Sequence, residues 1–133
     1  MNQLNNQNIV IIGGTTGLGL SAAKAFIDNG ANVVVVGRNE ESVIAAKNIL
    51  GNKAVTLSGE ATQEATAINA IETCVKEFGS FDGLYHVAGG SGRKMGYGPL
   101  HEWTLEGWNK TMELNLTSLM LSNQAAIKKF LAL

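Results

Sequence analysis

A glycine-rich turn at residues 13–19 is the part of this sequence whose residue types and spacing point most directly to chemistry. An apolar run at residues 9–12 leads into Gly-Gly-Thr-Thr-Gly-Leu-Gly, and a helical pattern follows at once. Glycines let the main chain approach a ligand closely, and the first N–H groups of the next helix face an anion with the positive end of the helix dipole. The turn therefore favours pyrophosphate binding, although a tight strand–helix turn without a ligand is the alternative. The candidate residues are Gly13, Thr15, Thr16, Gly17, Leu18 and Gly19.

Composition limits the classes of protein to which the chain can belong. The 133 residues are 45% hydrophobic and 16% charged, which is typical of one globular domain rather than a disordered segment. A net charge of −1 argues against nucleic acid or an anionic membrane as the main partner. The single Cys74 forms no internal disulfide, and the sequence has no Cys/His cluster typical of a metal site.

Neither a leader nor a membrane span is expected from the sequence. Residues 1–8 are polar and uncharged, without the apolar core of a signal peptide. No apolar stretch approaches the roughly 18 residues that a transmembrane helix requires. We therefore expect a cytoplasmic protein.

Short apolar runs and helical patterns alternate along the chain. The runs at residues 9–12, 33–36, 54–57 and 84–87 are continuously apolar, which is typical of parallel strands covered on both faces. Helical patterns occupy about residues 17–29, 40–50 and 62–78, followed by Gly30, Gly51 and Gly79 as stop residues. This order predicts a single Rossmann-type domain over residues 1–133, a doubly wound parallel α/β sheet.

The last segment differs from the others. A helical pattern starts after Thr104, a predicted N-cap, and continues to the final residue without Gly or Pro. It is apolar on several faces between residues 114 and 121, so we expect burial by the sheet and by something else. Because the pattern has no stop residue, we expect a fold truncated after the fourth strand and its following helix.

These residues resemble the N-terminal half of the short-chain dehydrogenase/reductase family. Four features agree in order and spacing: the glycine turn, Gly37-Arg38 after the second strand, Val87-Ala88-Gly89 after the fourth, and Asn115 within the last helix. The resemblance covers nearly the whole chain. It implies a nicotinamide dinucleotide cofactor and, in the complete enzyme, hydride transfer to or from a small alcohol or ketone.

The resemblance also implies a cofactor preference. Arg38 is placed to pair with a 2′-phosphate, whereas Gly37 stands where relatives that prefer NAD usually carry Asp, so NADP is favoured over NAD. Thr16 stands where some NADP-binding relatives have Lys, so a second basic residue is missing from the turn. Glu60 corresponds to the acidic residue near the adenine. The alternatives are a solvated surface arginine and an ordinary loop carboxylate.

Residues of the fourth strand and last helix have roles implied in the same way. Ala88 and Gly89 are small where a bulkier side chain would crowd the cofactor cleft; a plain turn at the end of the strand is the alternative. Asn115 corresponds to the catalytic asparagine that holds a water in a proton relay; a buried Asn bonded only to neighbouring main chain is the alternative. His86 replaces a usual Asn, and we interpret it as a strand histidine with satisfied hydrogen bonds.

Three further interpretations concern the loop and the two other departures from the family pattern. Ile12 and Val87 are expected to pack where relatives use polar contacts. The loop at residues 91–99 is expected to shape the substrate pocket, with surface disorder as the alternative. His101, Trp103 and Trp108 are expected to stabilise this loop and the last helix.

The proton-transfer residues of the family are missing from this sequence. The family uses a serine and a Tyr-x-x-x-Lys motif, but Tyr85 precedes Gly89 and Tyr97 precedes His101 at that spacing. We therefore predict an inactive chain that binds cofactor. Its exposed sheet edge and apolar helix should make it self-associate as a homo-oligomer or depend on the missing C-terminal half. The alternatives are a catalytically silent nucleotide-binding or oligomerisation module and, more remotely, a methyltransferase-like domain.

Overall fold

A parallel four-stranded sheet organises residues 2–91, 94 and 96–133, the part of the chain that the computed structural model describes. The strands are β1 (Asn8–Ile12), β2 (Asn32–Gly37), β3 (Ala54–Ser58) and β4 (Gly83–His86), in the order β3-β2-β1-β4. The helices are α1 (Gly17–Asp28), α2 (Glu40–Leu50), α3 (Glu64–Phe78), α4 (Leu105–Met112) and α5 (Ser118–Ala132). A 3₁₀ turn, Gly51–Lys53, precedes β3, and a π-helical turn, Glu113–Thr117, joins α4 to α5.

Helices cover both faces of the sheet, because successive side chains of a strand point to opposite sides. Val10 and Ile12 of β1 pack in a core with residues of α3 and α5. Ile11, between them, packs in a second core with residues of α1 and α2. Burying each such side chain fully contributes about 1.5–3 kcal/mol. The doubly wound parallel sheet expected from the sequence is confirmed.

Side-chain caps start two of the helices. Asn39 Oδ1 accepts from the main-chain N–H groups of Glu41 at 2.9 Å and Ser42 at 3.2 Å, at the start of α2. Thr104 Oγ1 accepts from the N–H of Gly107 at 2.9 Å, so its predicted role as the N-cap of α4 is confirmed. Each cap satisfies an N–H that a helix leaves without an internal partner. The start of α1 has no side-chain cap.

The last helical segment departs from the sequence prediction in one respect and follows it on the side that faces the sheet. It is interrupted by the π-helical turn rather than being one regular α-helix. Its buried face, with Ser118, Ser122 and Ala126, packs on the sheet and α3, whereas Leu116 and Met120 are 55% and 49% exposed. Within the described residues, therefore, the sheet side of this segment is covered and the opposite side is open. No helix in this part of the chain is long and apolar enough to cross a membrane.

Candidate cofactor-binding site

A cleft of about 320 Å³ lies at the carboxyl ends of the four strands. β1 is the switch point of the sheet, because β2 and β3 follow on one side of it and β4 lies on the other. Ligands of open α/β sheets bind outside the strand ends at such a point. Nine of the ten residues predicted to bind cofactor line this cleft: Gly13, Thr15, Thr16, Gly17, Leu18, Arg38, Glu60, Ala88 and Gly89. Gly19 does not line it. The structure thus brings together residues that are up to 76 positions apart in the sequence, from Gly13 to Gly89.

Gly13 makes the sharp turn at the end of β1. Its φ is +91°, a conformation that residues with a side chain rarely adopt. A Cβ at this position would also lie 2.6 Å from the main-chain nitrogen of Ala88, closer than real Cβ contacts. The N–H of Gly13 donates to the carbonyl oxygen of Val36 at 2.9 Å. Glycine is therefore required here both for the turn and for the close approach of the β1 and β4 ends.

Gly19 lets the first turn of α1 pack against the glycine turn. A Cβ at Gly19 would collide with the carbonyl oxygen of Gly13 and lie 2.9 Å from the Cα of Gly14. Gly19 thus has a packing role, because it holds the start of α1 against the end of β1; the cofactor contact of its main chain stays a prediction.

The start of α1 offers free main-chain donors to the cleft. The N–H of Leu20 makes the first helical hydrogen bond, to the carbonyl oxygen of Thr16 at 3.1 Å. The N–H groups of Gly17, Leu18 and Gly19 precede it and have no partner within the helix. The first turn carries no acidic residue, so nothing there offsets the positive end of the helix dipole. This arrangement suits an anion.

Arg38 and Glu60 lie at the rim of the cleft, directly beyond β2 and two residues beyond β3. The two strand ends are joined by a hydrogen bond from the N–H of Gly59 to the carbonyl oxygen of Gly37, at 2.9 Å. Both charged side chains are exposed. Arg38 forms no salt bridge with any residue that the structure describes, so its guanidinium is available to a ligand anion.

The opposite wall of the cleft follows β4 and is held by Asn115. The N–H of Ala88 donates to the carbonyl oxygen of Ile12 at 2.9 Å. Asn115 Oδ1 accepts from the N–H of Gly90 at 2.9 Å, and its Nδ2 donates to the carbonyl oxygens of Gly90 at 2.8 Å and Thr111 at 3.0 Å. Asn115 thus binds main chain beside the cleft; its role in a proton relay stays a prediction.

The π-helical turn around Asn115 was missed by the sequence analysis. Here the N–H of Ser118 donates to the carbonyl oxygen of Glu113, five residues earlier. The carbonyl of Leu114, its usual partner, instead accepts from Ser118 Oγ at 2.6 Å. The available signal was Asn and Ser in an apolar helix, because these side chains bond to nearby carbonyls and π-turns cluster at functional sites.

His86 is bonded through both ring nitrogens. Nε2 lies 2.9 Å from the carbonyl oxygen of Ala88, and Nδ1 lies 2.7 Å from Ser122 Oγ. Because a carbonyl only accepts, we assign the proton of the neutral ring to Nε2, and Nδ1 accepts from Ser122. Ser118 Oγ is 3.3 Å from Nε2. Burial lowers the pKa of His86, although the bond to Ala88 acts in the opposite direction. The interpretation of a satisfied strand histidine is confirmed.

Its two serine partners were not foreseen. Ser118 and Ser122 are four residues apart, so they lie on the same face of a helix, and both are buried. That spacing was the one signal in the sequence that could have identified them.

The residues around the predicted substrate loop are only partly described. Residues 92, 93 and 95 of the loop at 91–99 lie outside the described residues. Trp103 contacts Tyr97 and Trp108, with ring centroids 4.9 Å apart in each pair. His101 is exposed and lies 3.8 Å from the carboxylate of Glu102. The aromatic contacts join the loop to α4, as the sequence interpretation expected.

Other candidate chemistry is limited in the described part of the chain. No group of three His, Cys, Asp or Glu residues is placed there to hold a metal ion. Burial, and secondarily the charge of Asp82, raises the pKa of the Cys74 thiol to about 12. Because the thiolate is the reactive form, Cys74 is a structural residue of the core.

Comparisons with known proteins agree on one family. The model of the short chain dehydrogenase family matches residues 7–132. Proteins named 2,5-dichloro-2,5-cyclohexadiene-1,4-diol dehydrogenase LinX, from two strains of Sphingobium indicum, are 36% identical over 129 residues, covering 95% of this chain and 50% of theirs. The structure of a short-chain type dehydrogenase/reductase from Mycobacterium ulcerans superposes with a TM-score of 0.87 at 25% identity, over 97% of this chain and 48% of that one. The chain spans about half the length of the curated relatives it matches.

Proposed function

The chain belongs to the short-chain dehydrogenase family, and from that premise we propose that its cleft binds NADP(H) in preference to NAD(H). The pyrophosphate would bind at the start of α1, the adenosine end near Arg38 and Glu60, and the nicotinamide end near Ala88 and Gly89. This order follows the line of the strand ends along the cleft.

The observation that carries the proposal is the fit between the glycine turn and a pyrophosphate. Side chains at Gly13 or Gly19 would fill the space between strand end and helix, and both positions are glycine. Gly17 has open space above it, so a phosphate could approach the main chain there. The uncapped N–H groups that follow supply donors and positive potential without any movement of side chains.

The preference for NADP(H) rests on charge at the end of β2. A guanidinium binds a phosphate with two parallel hydrogen bonds, whereas it gains much less from a neutral ribose hydroxyl. Arg38 is exposed at the rim of the cleft, without a carboxylate partner among the described residues. Gly37 beside it supplies no acidic side chain that would repel the 2′-phosphate.

For the reaction, we infer that residues 1–133 form one domain, the cofactor-binding part of an oxidoreductase acting on an alcohol or ketone. A bound nicotinamide supplies the carbon that gives or takes the hydride. Asn115 is the one member of the family's catalytic set that we assign within this chain, where it also holds Gly90 beside the cleft. Residues 1–133 contain no Tyr-x-x-x-Lys motif, so we expect them to bind the cofactor but not to catalyse the reaction alone.

Cofactor titration tests the proposal against its alternatives. We expect NADPH to bind more tightly than NADH, and S-adenosylmethionine not to bind. Arg38→Asp should weaken NADPH binding by at least about tenfold, equal to about 1.4 kcal/mol, with a smaller loss for NADH. Lys24→Asp on α1 makes the same charge change away from the cleft and should leave the ratio unchanged. Equal losses of both cofactors in Arg38→Asp contradict the 2′-phosphate role, and tightest binding of the methyl donor contradicts the function.

The genomic sequence after Leu133 and the activity of the extended protein distinguish an enzyme from a catalytically silent module. If the reading frame continues beyond Leu133 into a serine and a Tyr-x-x-x-Lys motif, the extended protein should reduce ketones with NADPH. A stop codon directly after Leu133 in the genome favours the catalytically silent nucleotide-binding or oligomerisation module instead.

We also infer that the chain forms a homo-oligomer through α5. Met120, Ile127 and Leu131 of α5 are between 49% and 83% exposed, and their spacing places them along one stripe of the helix. β4 forms one edge of the four-stranded sheet, next to this helix. Exposed apolar side chains beside a strand edge are typical of an interaction surface.

A further inference from the structure

Thr15 and Gly37 are packed together where the glycine turn meets the end of β2. Both residues are buried, and Thr15 is only 6% exposed. A Cβ built on Gly37 would overlap Oγ1 of Thr15 and lie 2.7 Å from its Cγ2 and 2.9 Å from its Cβ. The space that any side chain at residue 37 requires is therefore occupied by Thr15.

This contact cannot be relieved by a change of rotamer. The Cβ of Thr15 is attached to the main chain, so its position does not depend on the side-chain torsion, and a β-branched side chain has few alternatives. The main chain of the turn is itself fixed to β2, because the N–H groups of Gly13 and Gly14 both donate to the carbonyl oxygen of Val36, at 2.9 and 3.0 Å. A side chain at residue 37 would have to displace the phosphate-binding turn.

We propose that Thr15 is a specificity-determining residue that acts by keeping residue 37 a glycine. An acidic side chain at the end of the second strand accepts hydrogen bonds from the free ribose hydroxyls of NAD and repels a 2′-phosphate. Thr15 excludes such a side chain and leaves the ribose end of the cleft to Arg38. This inference rests on the proposed function, since it concerns the cofactor bound in that cleft.

The inference predicts that residues 15 and 37 must change together for the preference to change. Gly37→Asp alone introduces the acidic group but pushes on the turn that holds the pyrophosphate, so both cofactors should lose affinity. Thr15→Gly removes all three atoms that approach the added Cβ. In that background the aspartate has room, and NADH binding should recover while NADPH binding does not.

A thermal-unfolding cycle tests the contact without any cofactor. Gly37→Ala adds only the Cβ and should lower the Tm by about 5 °C or more. In the Thr15→Gly background the same change should cost less than half as much. Gly83→Ala on β4 is the matched control, since its Cβ would meet Ile9 at an ordinary 3.7 Å. If Gly37→Ala lowers the Tm equally with Thr15 and with Thr15→Gly, the proposed steric conflict between residues 15 and 37 is contradicted. If Gly37→Ala does not fold, its rescue by Thr15→Gly supports the inference and a failed rescue contradicts it.

Cofactor titration of the aspartate variants then tests specificity. Thr15→Gly/Gly37→Asp should bind NADH at least about tenfold more tightly than Gly37→Asp does, about 1.4 kcal/mol. A stable Gly37→Asp protein that already prefers NADH contradicts the role of Thr15. An unmodified chain that binds neither cofactor contradicts the proposed function, and the specificity role with it, whereas the unfolding cycle judges the Thr15–Gly37 contact separately.

Discussion

Nδ1 of His86 lies 2.7 Å from Oγ of Ser122, which ties the end of β4 to the middle of α5. The other ring nitrogen of His86 bonds to the carbonyl oxygen of Ala88, a residue that lines the cleft. Through this one side chain, the position of a cleft wall depends on the packing of the last helix. Both hydrogen bonds are made by the neutral imidazole of His86, which is partly buried.

The first prediction is a pH dependence of stability. Burial lowers the pKa of His86 in the folded protein, so the unfolded chain takes up the proton more readily. The free energy of unfolding should therefore fall as the pH drops from about 6.5 toward the pKa of His86 in the folded protein. Above about pH 6.5, His86 should add no pH dependence to the free energy of unfolding. Urea unfolding of the chain and of His86→Gln at several pH values between about 5 and 8 measures the difference. His101→Gln, at an exposed site, is the control and should keep the full dependence. A His86→Gln protein with the same slope as the unmodified chain would contradict the assignment.

The second prediction concerns the hydrogen bonds between Asn115 and Gly90. Asn115→Ala removes the acceptor of the Gly90 N–H, and because both residues are exposed we expect a loss of about 0.5–1.5 kcal/mol in the free energy of unfolding. The amide of Gly90 should exchange with deuterium faster in this variant, and NADPH should bind more weakly because Gly89 lines the cleft. Asn109→Ala is the control, because Asn109 is an exposed asparagine on α4. Unchanged exchange at Gly90 would show that Asn115 does not hold this wall.

The third prediction concerns Gly19. In an exposed helix, Gly→Ala stabilises by about 1 kcal/mol. At Gly19 the methyl group would collide with the carbonyl oxygen of Gly13, so we expect the opposite sign, a lower Tm, together with loss of NADPH binding. Gly98→Ala adds the same methyl group at a position with open space and should change neither property. A more stable Gly19→Ala protein that still binds NADPH contradicts the close packing of α1 on the turn.

The fourth prediction concerns self-association. Light scattering should give a mass above 14.0 kDa that rises with concentration. Met120→Lys/Ile127→Lys places two charges in the apolar stripe and should shift the protein to the monomer. Asn48→Lys/Asn52→Lys adds the same charge at other exposed positions and should leave the mass unchanged. A monomer at all concentrations in the unmodified chain would refute the homo-oligomer.

The sheet and its layers could be predicted from the sequence because their signal is local. Runs such as residues 33–36 are continuously apolar, and this pattern is typical of a strand that helices cover on both faces. Gly79 after α3 has a φ of +91°, so the stop residue reflects the conformation of the chain end. The residues of the cleft could be predicted from the glycine pattern and from the family resemblance, and parallel strands bring their carboxyl ends to one edge.

The contacts between these elements could not be predicted, because they depend on distances across the fold. Nothing in the sequence around Thr15 indicates that its side chain fills the space above Gly37, 22 residues further on. The bonds of Asn115 to the main chain of Gly90, 25 residues earlier, likewise leave no mark in the sequence around either residue. The sequence thus named Thr15 and Asn115 as site residues, but it did not indicate the contacts through which they position the cleft.

Backbone NMR during titration with NADPH is the most direct measurement of the central claim, that a dinucleotide binds to the main chain at the start of α1. At 14.0 kDa the chain is well suited to this experiment. We predict that the amide resonances of Gly17, Leu18 and Gly19 shift most at saturation, with Arg38 following for NADPH but not for NADH. Resonances at these three amides that stay unmoved at saturating cofactor would contradict the account.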